Sequence, residues 1–329
     1  MAYLVPVFSL ACVMTLSCLH ASLCPPLLTP SNATEFSCSS PSLQEFPTGF
    51  PAETLLISVE FTNISRISAE ALKGLGKLQE LHLSNNKLRS LPDSLFRDVP
   101  DLAALDLTNN FLEDLPPGIF RNTSALKQLA LGENQLATLR PSWFHPLRQL
   151  SILDLSHNLL KDVPPFCFSG LENVTKLDLS FNFLHTLTPQ ILEGLLHLEN
   201  LNLEGNQLSS IMDAAFRGAP SLKFLFLQNN TLTGLPPGLF EPLNHLTMLD
   251  VSHNKLTSLT PKLSRQATTL SLDLSGNPWA CDCHMSPLVT WLKQLSIPLW
   301  AEAQTVCASP KDLEGQLLTS LAPGKLGSC

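Results

Sequence analysis

The sequence predicts an α/β solenoid. This is a curved stack of coils with parallel strands on the concave face, an irregular, 3-10 or short-helical convex side, and disulfide-closed end caps. Three observations carry that reading. One frame of apolar residues with a single asparagine returns every 24 residues along most of the chain. The second half of each coil holds prolines where a regular helix would not tolerate them. The cysteines gather near the two ends.

The frame is L-x-x-L-x-L-x-x-N-x-L. Full copies begin at Leu78, Leu102, Leu126, Leu150, Val174, Leu198, Leu222 and Leu246, each 24 residues after the last. A degenerate copy starts at Thr54 and a shortened one at Thr269. Leu81 and Leu83 alternate with outward residues, as in a short strand buried on one face. A single coil cannot bury its own leucines, so neighbouring coils must stack. The frame asparagines are Asn86, Asn110, Asn134, Asn158, Asn182, Asn206, Asn230, Asn254 and Asn277. Each falls where the strand turns inward and leaves backbone groups unpaired. A buried amide satisfies such groups and itself at once, so these residues are expected to form a structural ladder and to do no chemistry. The pattern is identified as the leucine-rich repeat.

The return paths read "SLPDSLF", "DLPPGIF" and "GLPPGLF". Prolines favour an extended course there. One position is phenylalanine in Phe96, Phe120, Phe144, Phe168, Phe216 and Phe240, with Leu192 as the exception. These predict an aromatic spine inside the convex side. Cys167 replaces an aliphatic residue beside Phe168 and is expected to be a buried free thiol.

The expected organisation is a signal peptide over 1–23, an N-terminal cap over 24–53, repeats over 54–276 and a C-terminal cysteine-rich cap over 277–329. The first 24 residues carry no charge and are mostly apolar. The chain ends at Cys329, which leaves no room for a lipid-anchor tail. Both point to secretion. In an oxidising compartment Cys24 and Cys38 would close the first cap, and Cys281, Cys283, Cys307 and Cys329 would pair within the second. Five sequons, at Asn32, Asn63, Asn122, Asn173 and Asn229, predict a glycoprotein.

With 329 residues, 44% of them hydrophobic, the chain is long enough for an extended array. Its formal net charge of −8 argues against nucleic acid and anionic membrane surfaces, and favours basic partners. No metal-protease, phosphate-loop or nucleophile-elbow motif occurs. Asp154 and Asp178 share a frame position on neighbouring strands, but the "LDLS" around them is ordinary repeat wording. No enzyme, cofactor or metal is expected.

Frame positions two, three, five, seven and eight are expected to face the concavity. They hold ten acids and three bases, a net of −7. The acidity of the chain is thus concentrated on one face. Asp106, Asp154, Asp178, Glu199, Glu204 and Asp250 are the candidate charges for a basic protein, and Phe181 and Phe226 the candidate anchors. Ile152, Phe224 and Met248 add apolar surface to the same face.

"FPAETLLISVEFTNIS" followed by "KLQELHLSNNKLRSLP" resembles the leucine-rich alpha-2-glycoprotein family, with the snake serum phospholipase A2 inhibitors of the beta class closest in type. The resemblance implies a plasma glycoprotein. For the inhibitor branch it implies binding to a basic group II phospholipase A2, with a homotrimer as the assembly. The alternative is a signalling modulator that binds a growth factor or its receptor. Resemblance to the extracellular leucine-rich-repeat C-terminal cap implies the pairs Cys281–Cys307 and Cys283–Cys329, with Trp279 and Trp291 filling the lid.

Overall fold

The structure is a computed structural model describing residues 33–260, 270–295, 298–322 and 326. The expected signal segment, Cys24, Asn32, Thr269 and Cys329 lie outside the described residues.

Twelve strands join in chain order into one sheet. Every pairing is parallel, and frame position meets frame position. Most strands have three residues, as in Glu80–His82, Ala104–Asp106 and Ile152–Asp154. Their central leucines, Leu81, Leu105, Leu129, Leu153, Leu177, Leu201, Leu225, Leu249 and Leu272, are all at most 2% exposed. Burying each such side chain contributes about 1.5–3 kcal/mol. The sheet extends past the repeats at both ends. Glu35–Cys38 pairs with Leu56–Val59, and Leu299–Trp300 continues from Ser271–Asp273.

Below the sheet edge the frame asparagines link each coil to the one before. Asn158 Nδ2 donates to the carbonyls of Leu131 at 2.9 Å, Leu155 at 3.1 Å and Ser156 at 3.0 Å. Its Oδ1 accepts from Leu136 N at 3.0 Å. The same four-point pattern recurs at Asn110, Asn134, Asn182, Asn206, Asn230, Asn254 and Asn277. At Asn86 the acceptor bond comes instead from the hydroxyl of Thr62, which stands where the first, degenerate copy lacks its asparagine. Ile64 N donates to that same hydroxyl at 3.2 Å, so the relay is preserved with a shorter side chain.

The turn after each strand has one residue in the left-handed region, at frame position eight. Asn85, Asn109, Glu133, His157, Phe181, Asn229 and His253 have φ of 51° to 56° there. This conformation costs an ordinary L-residue about 1–2 kcal/mol. It keeps the ladder running past the strand, as in His157 N to Ser180 O at 2.9 Å and Phe181 N to Glu204 O at 2.8 Å.

Among the described residues the convex side of the repeats is mostly turn, with a four-residue helix at Pro141–Phe144 and a 3-10 helix at Pro189–Ile191. The phenylalanine spine is buried and packs ring on ring, with Phe96–Phe120 centroids 6.0 Å apart, Phe144–Phe168 5.3 Å and Phe216–Phe240 6.1 Å. Leu192, wholly buried, fills the gap between the last two pairs. Cys167 is free and buried, and burial pushes its thiol up to about 12. Such a thiol carries almost no thiolate at neutral pH.

In the C-terminal cap Cys281 and Cys307 form a disulfide with Cα atoms 5.6 Å apart. Cys38 and Cys283 are each disulfide-bonded, and their expected partners Cys24 and Cys329 lie outside the described residues. Trp279 is fully buried, and its Nε1 donates to Leu274 O at 2.9 Å. Trp291, on the helix Ser286–Leu295, packs partly buried against the same core. Among the described residues no helix is long and apolar enough to cross a membrane.

Candidate protein-binding face

Because the register pairs like with like, outward residues of the strands form straight columns. The fifth frame position runs Ser58, His82, Asp106, Ala130, Asp154, Asp178, Asn202, Phe226, Asp250, Asp273, ending on Trp300. Four of the six candidate charges named from sequence, and the anchor Phe226, lie in this one column. Asp154 and Asp178 are register neighbours, as are Phe226 and Asp250. Asp106 stands apart from Asp154 by Ala130, and Asp178 from Phe226 by Asn202.

The column aspartates have a structural duty besides their charge. Oδ1 accepts from the backbone N–H two residues on, at 2.9 Å in Asp106, 2.8 Å in Asp154, 2.9 Å in Asp178 and 2.9 Å in Asp250. This side-chain turn ends the strand. Asn202 makes the same bond through Oδ1, to Glu204 N at 3.1 Å. The capping needs the oxygen and not the charge. "LDLS" recurs for that reason, and in Asp178 the second oxygen, Oδ2, also accepts from Asn202 Nδ2 at 3.1 Å.

The remaining candidates sit on the two flanks. Glu199, before its strand, is paired with Lys223 at 2.8 Å. On the opposite flank Glu204 accepts from Gln228 Nε2 at 2.8 Å and Asn229 Nδ2 at 3.0 Å. Phe181 also lies on that flank, in the left-handed turn and not on the strand. It is 42% exposed, and its ring stacks on His157 with centroids 4.4 Å apart. Its other side covers Gly205, where a Cβ would come within 2.6 Å of the ring. Gly205 is thus the space that lets Phe181 lie flat.

One sequence expectation is corrected. Position seven does not face a partner throughout: Ser84, Ser180, Ser252 and Ser275 are all at most 5% exposed. The tight turn draws that residue under the strand end, and Ser84 Oγ bonds to Glu60 Oε1. Sequence reasoning also missed Trp300, exposed at the end of the central column, because it lies outside the repeat frame and nothing periodic marks it. Position ten also carries a row of exposed apolar residues, Phe111, Leu159 and Phe183, at a fixed place in the frame.

Of the sequon asparagines described, Asn122, Asn173 and Asn229 are exposed and Asn63 is half-buried. Asn122 and Asn173 donate to Arg97 O at 3.1 Å and Arg148 O at 2.8 Å, away from the strands. Asn229 borders the acidic face beside Glu204. Asp282, Cys283 and His284 bring three ligand-type atoms within 4.8 Å. Cys283 is disulfide-bonded and supplies no thiolate, so the trio is a poor metal site.

Burial, with Asp273 and Glu204 nearby as like charges, raises the Asp250 carboxyl above the usual range; bonds from Ser252 partly oppose this. A carboxyl raised in the folded state binds its proton more tightly there than when unfolded. Stability is therefore greatest below the unfolded value and falls as pH rises through the raised folded one. Asp250→Asn keeps the Oδ1 acceptor and removes the charge. It is expected to raise the neutral-pH melting temperature by on the order of 1 °C and to remove its share of the fall as pH rises from the unfolded value through the raised folded one, as thermal scans across pH will show.

A stacked parallel sheet, an asparagine ladder and an outward acidic column define a leucine-rich-repeat protein. The leucine rich repeat family model matches residues 56–112, 100–160, 148–208, 172–232, 196–256 and 220–278. Within that class, the chain belongs to the family of leucine-rich-repeat phospholipase A2 inhibitors. It is 56% identical over 328 residues to "Phospholipase A2 inhibitor" of Gloydius brevicaudus siniticus, covering 99% of each chain. It is 64% identical over 306 residues to "Phospholipase A2 inhibitor beta" of Elaphe climacophora, covering 93% of this chain and 92% of the relative. Among solved structures, a chain of the Toll–Spatzle complex matches in fold with TM-score 0.74 at 23% identity, covering 89% of this chain and 41% of that one. A chain of the octameric complex of Latrophilin 3, Unc5D and FLRT2 gives TM-score 0.72 at 28% identity, covering 90% and 82%.

Proposed function

We propose that this chain is a secreted glycoprotein, not an enzyme, that binds and inhibits a basic group II phospholipase A2 through its acidic concave face. The central column carries the reading: its aspartates are lined up by the register, half-exposed at the strand surface, with Oδ1 of each held by its own backbone. The names of the two relatives, similar over nearly their whole length, supply the target class. Clustered negative potential steers a basic partner and speeds its encounter. The apolar patch of Phe224, Phe226 and Met248 then gives the docked complex a desolvated contact. A basic lipase approaches anionic lipid with the same charges that such a face would cover, so occupying them separates enzyme from substrate.

The experiment mixes purified protein with a basic and with an acidic venom phospholipase A2, then measures binding and residual hydrolysis. The basic enzyme is expected to bind and lose activity, and the acidic one to do neither. Absence of binding to the basic enzyme at moderate salt overturns the proposal.

A further inference from the structure

Between Asp106 and Asp154 the central column holds a small side chain, Ala130. On the preceding strand the third position is also alanine, Ala104, in register with Gln128. These two short side chains leave a depression of about 160 Å³ on the concave face, lined by Asp106, Asp154, Gln128, Ile152, Ala104 and Ala130. Its floor is apolar, and its rim carries Asp106 and Asp154 together with His82, whose Nε2 lies 3.3 Å from Glu80 Oε2.

The chemistry of the rim selects the occupant. Asp106 and Asp154 flank Ala130 as register neighbours, so their backbones stand two strand spacings apart, roughly 9.6 Å. Each spends Oδ1 on its own backbone, on Thr108 N and Ser156 N. A guanidinium binds best with two parallel bonds to both oxygens of one carboxylate, and at each aspartate one of those oxygens already accepts a backbone bond, which weakens it as half of such a pair. An ammonium is a point charge with three donors. Asp106 and Asp154 line the depression on either side of Ala130, with Gln128 beside them, so an ammonium seated there would lie between two carboxylates. A four-carbon stem would lie on the alanine methyls and Ile152 while its charge stays at the rim.

We propose that this depression seats a lysine side chain of the bound basic protein. The proposal rests on the reading of the concave face as the enzyme-binding face and names the group recognised there. The probe is a basic group II venom phospholipase A2, native and with its lysines guanidinated, which keeps the charge but enlarges and flattens the head. Ala130→Leu fills the depression without altering any charge, and Ala104→Leu fills it from the neighbouring strand. Each filling variant, with an unchanged melting temperature, is expected to bind the native enzyme at least about tenfold more weakly. The guanidinated enzyme is expected to bind wild type with a similar loss, and to lose nothing further against Ala130→Leu. Native and guanidinated enzyme binding wild type equally well overturns the lysine seat and needs no variant. Filling variants that bind as wild type overturn it too. In both cases the enzyme-binding reading stands, whereas wild type failing to bind the native enzyme overturns that reading itself.

Discussion

Asn158→Ala is expected to lower the unfolding free energy by about 3–5 kcal/mol. The side chain is 2% exposed and makes four bonds, three to carbonyls and one from Leu136 N. Alanine leaves the Leu136 N–H and the carbonyls without this partner inside the stack, and each buried unsatisfied group costs about 1–3 kcal/mol. Asn158→Asp is expected to be at least as damaging, since it brings a carboxylate against three carbonyl oxygens. The array is held by nearest-neighbour contacts, and Asn158 lies near its middle. The break is therefore expected to split denaturant unfolding into two transitions. A single transition displaced by under about 1 kcal/mol would mean that the ladder is not what holds the coils together.

The second large effect is on binding. Asp106→Asn, Asp154→Asn and Asp178→Asn together remove three charges from a face whose net is −7. Asn202 already occupies this column and caps its strand with an amide oxygen at 3.1 Å. The triple variant should therefore stay within about 1 kcal/mol of wild-type stability. Its association rate with a basic phospholipase A2 is expected to fall by roughly tenfold or more at low salt, with a smaller change in dissociation. Lysine at these positions would be a poorer probe, because it discards the cap along with the charge.

The repeat was legible because it is dictated by geometry that recurs. Leu81 and its counterparts must be apolar, and Asn86 and its counterparts must carry both donor and acceptor, so a fixed spacing writes them into the sequence. The acidic column was legible for the same reason, since register turns frame position into a place on the surface. Three things were not legible. The aspartates' capping bond depends on backbone direction after the strand, which the letters "LDLS" do not state. The burial of Ser84 follows from the left-handed residue beside it, Asn85, which propensity alone does not place. The depression at Ala104 and Ala130 is an absence of side chain, visible only once neighbouring strands are laid side by side. Phe181 misled for a related reason: its frame position faces outward, but the turn carries it to the flank, over Gly205.

The aspartate column is expected to draw a basic enzyme by charge. The measurement that bears on it most directly is the association rate constant with a basic phospholipase A2 as ionic strength rises from about 10 mM to about 150 mM, where the screening length shortens from roughly 30 Å to 8 Å. The wild-type rate is expected to fall steeply over that range, and the triple Asn variant to start lower and change little. A wild-type rate indifferent to salt, or a triple variant with the same salt slope as wild type, would contradict it.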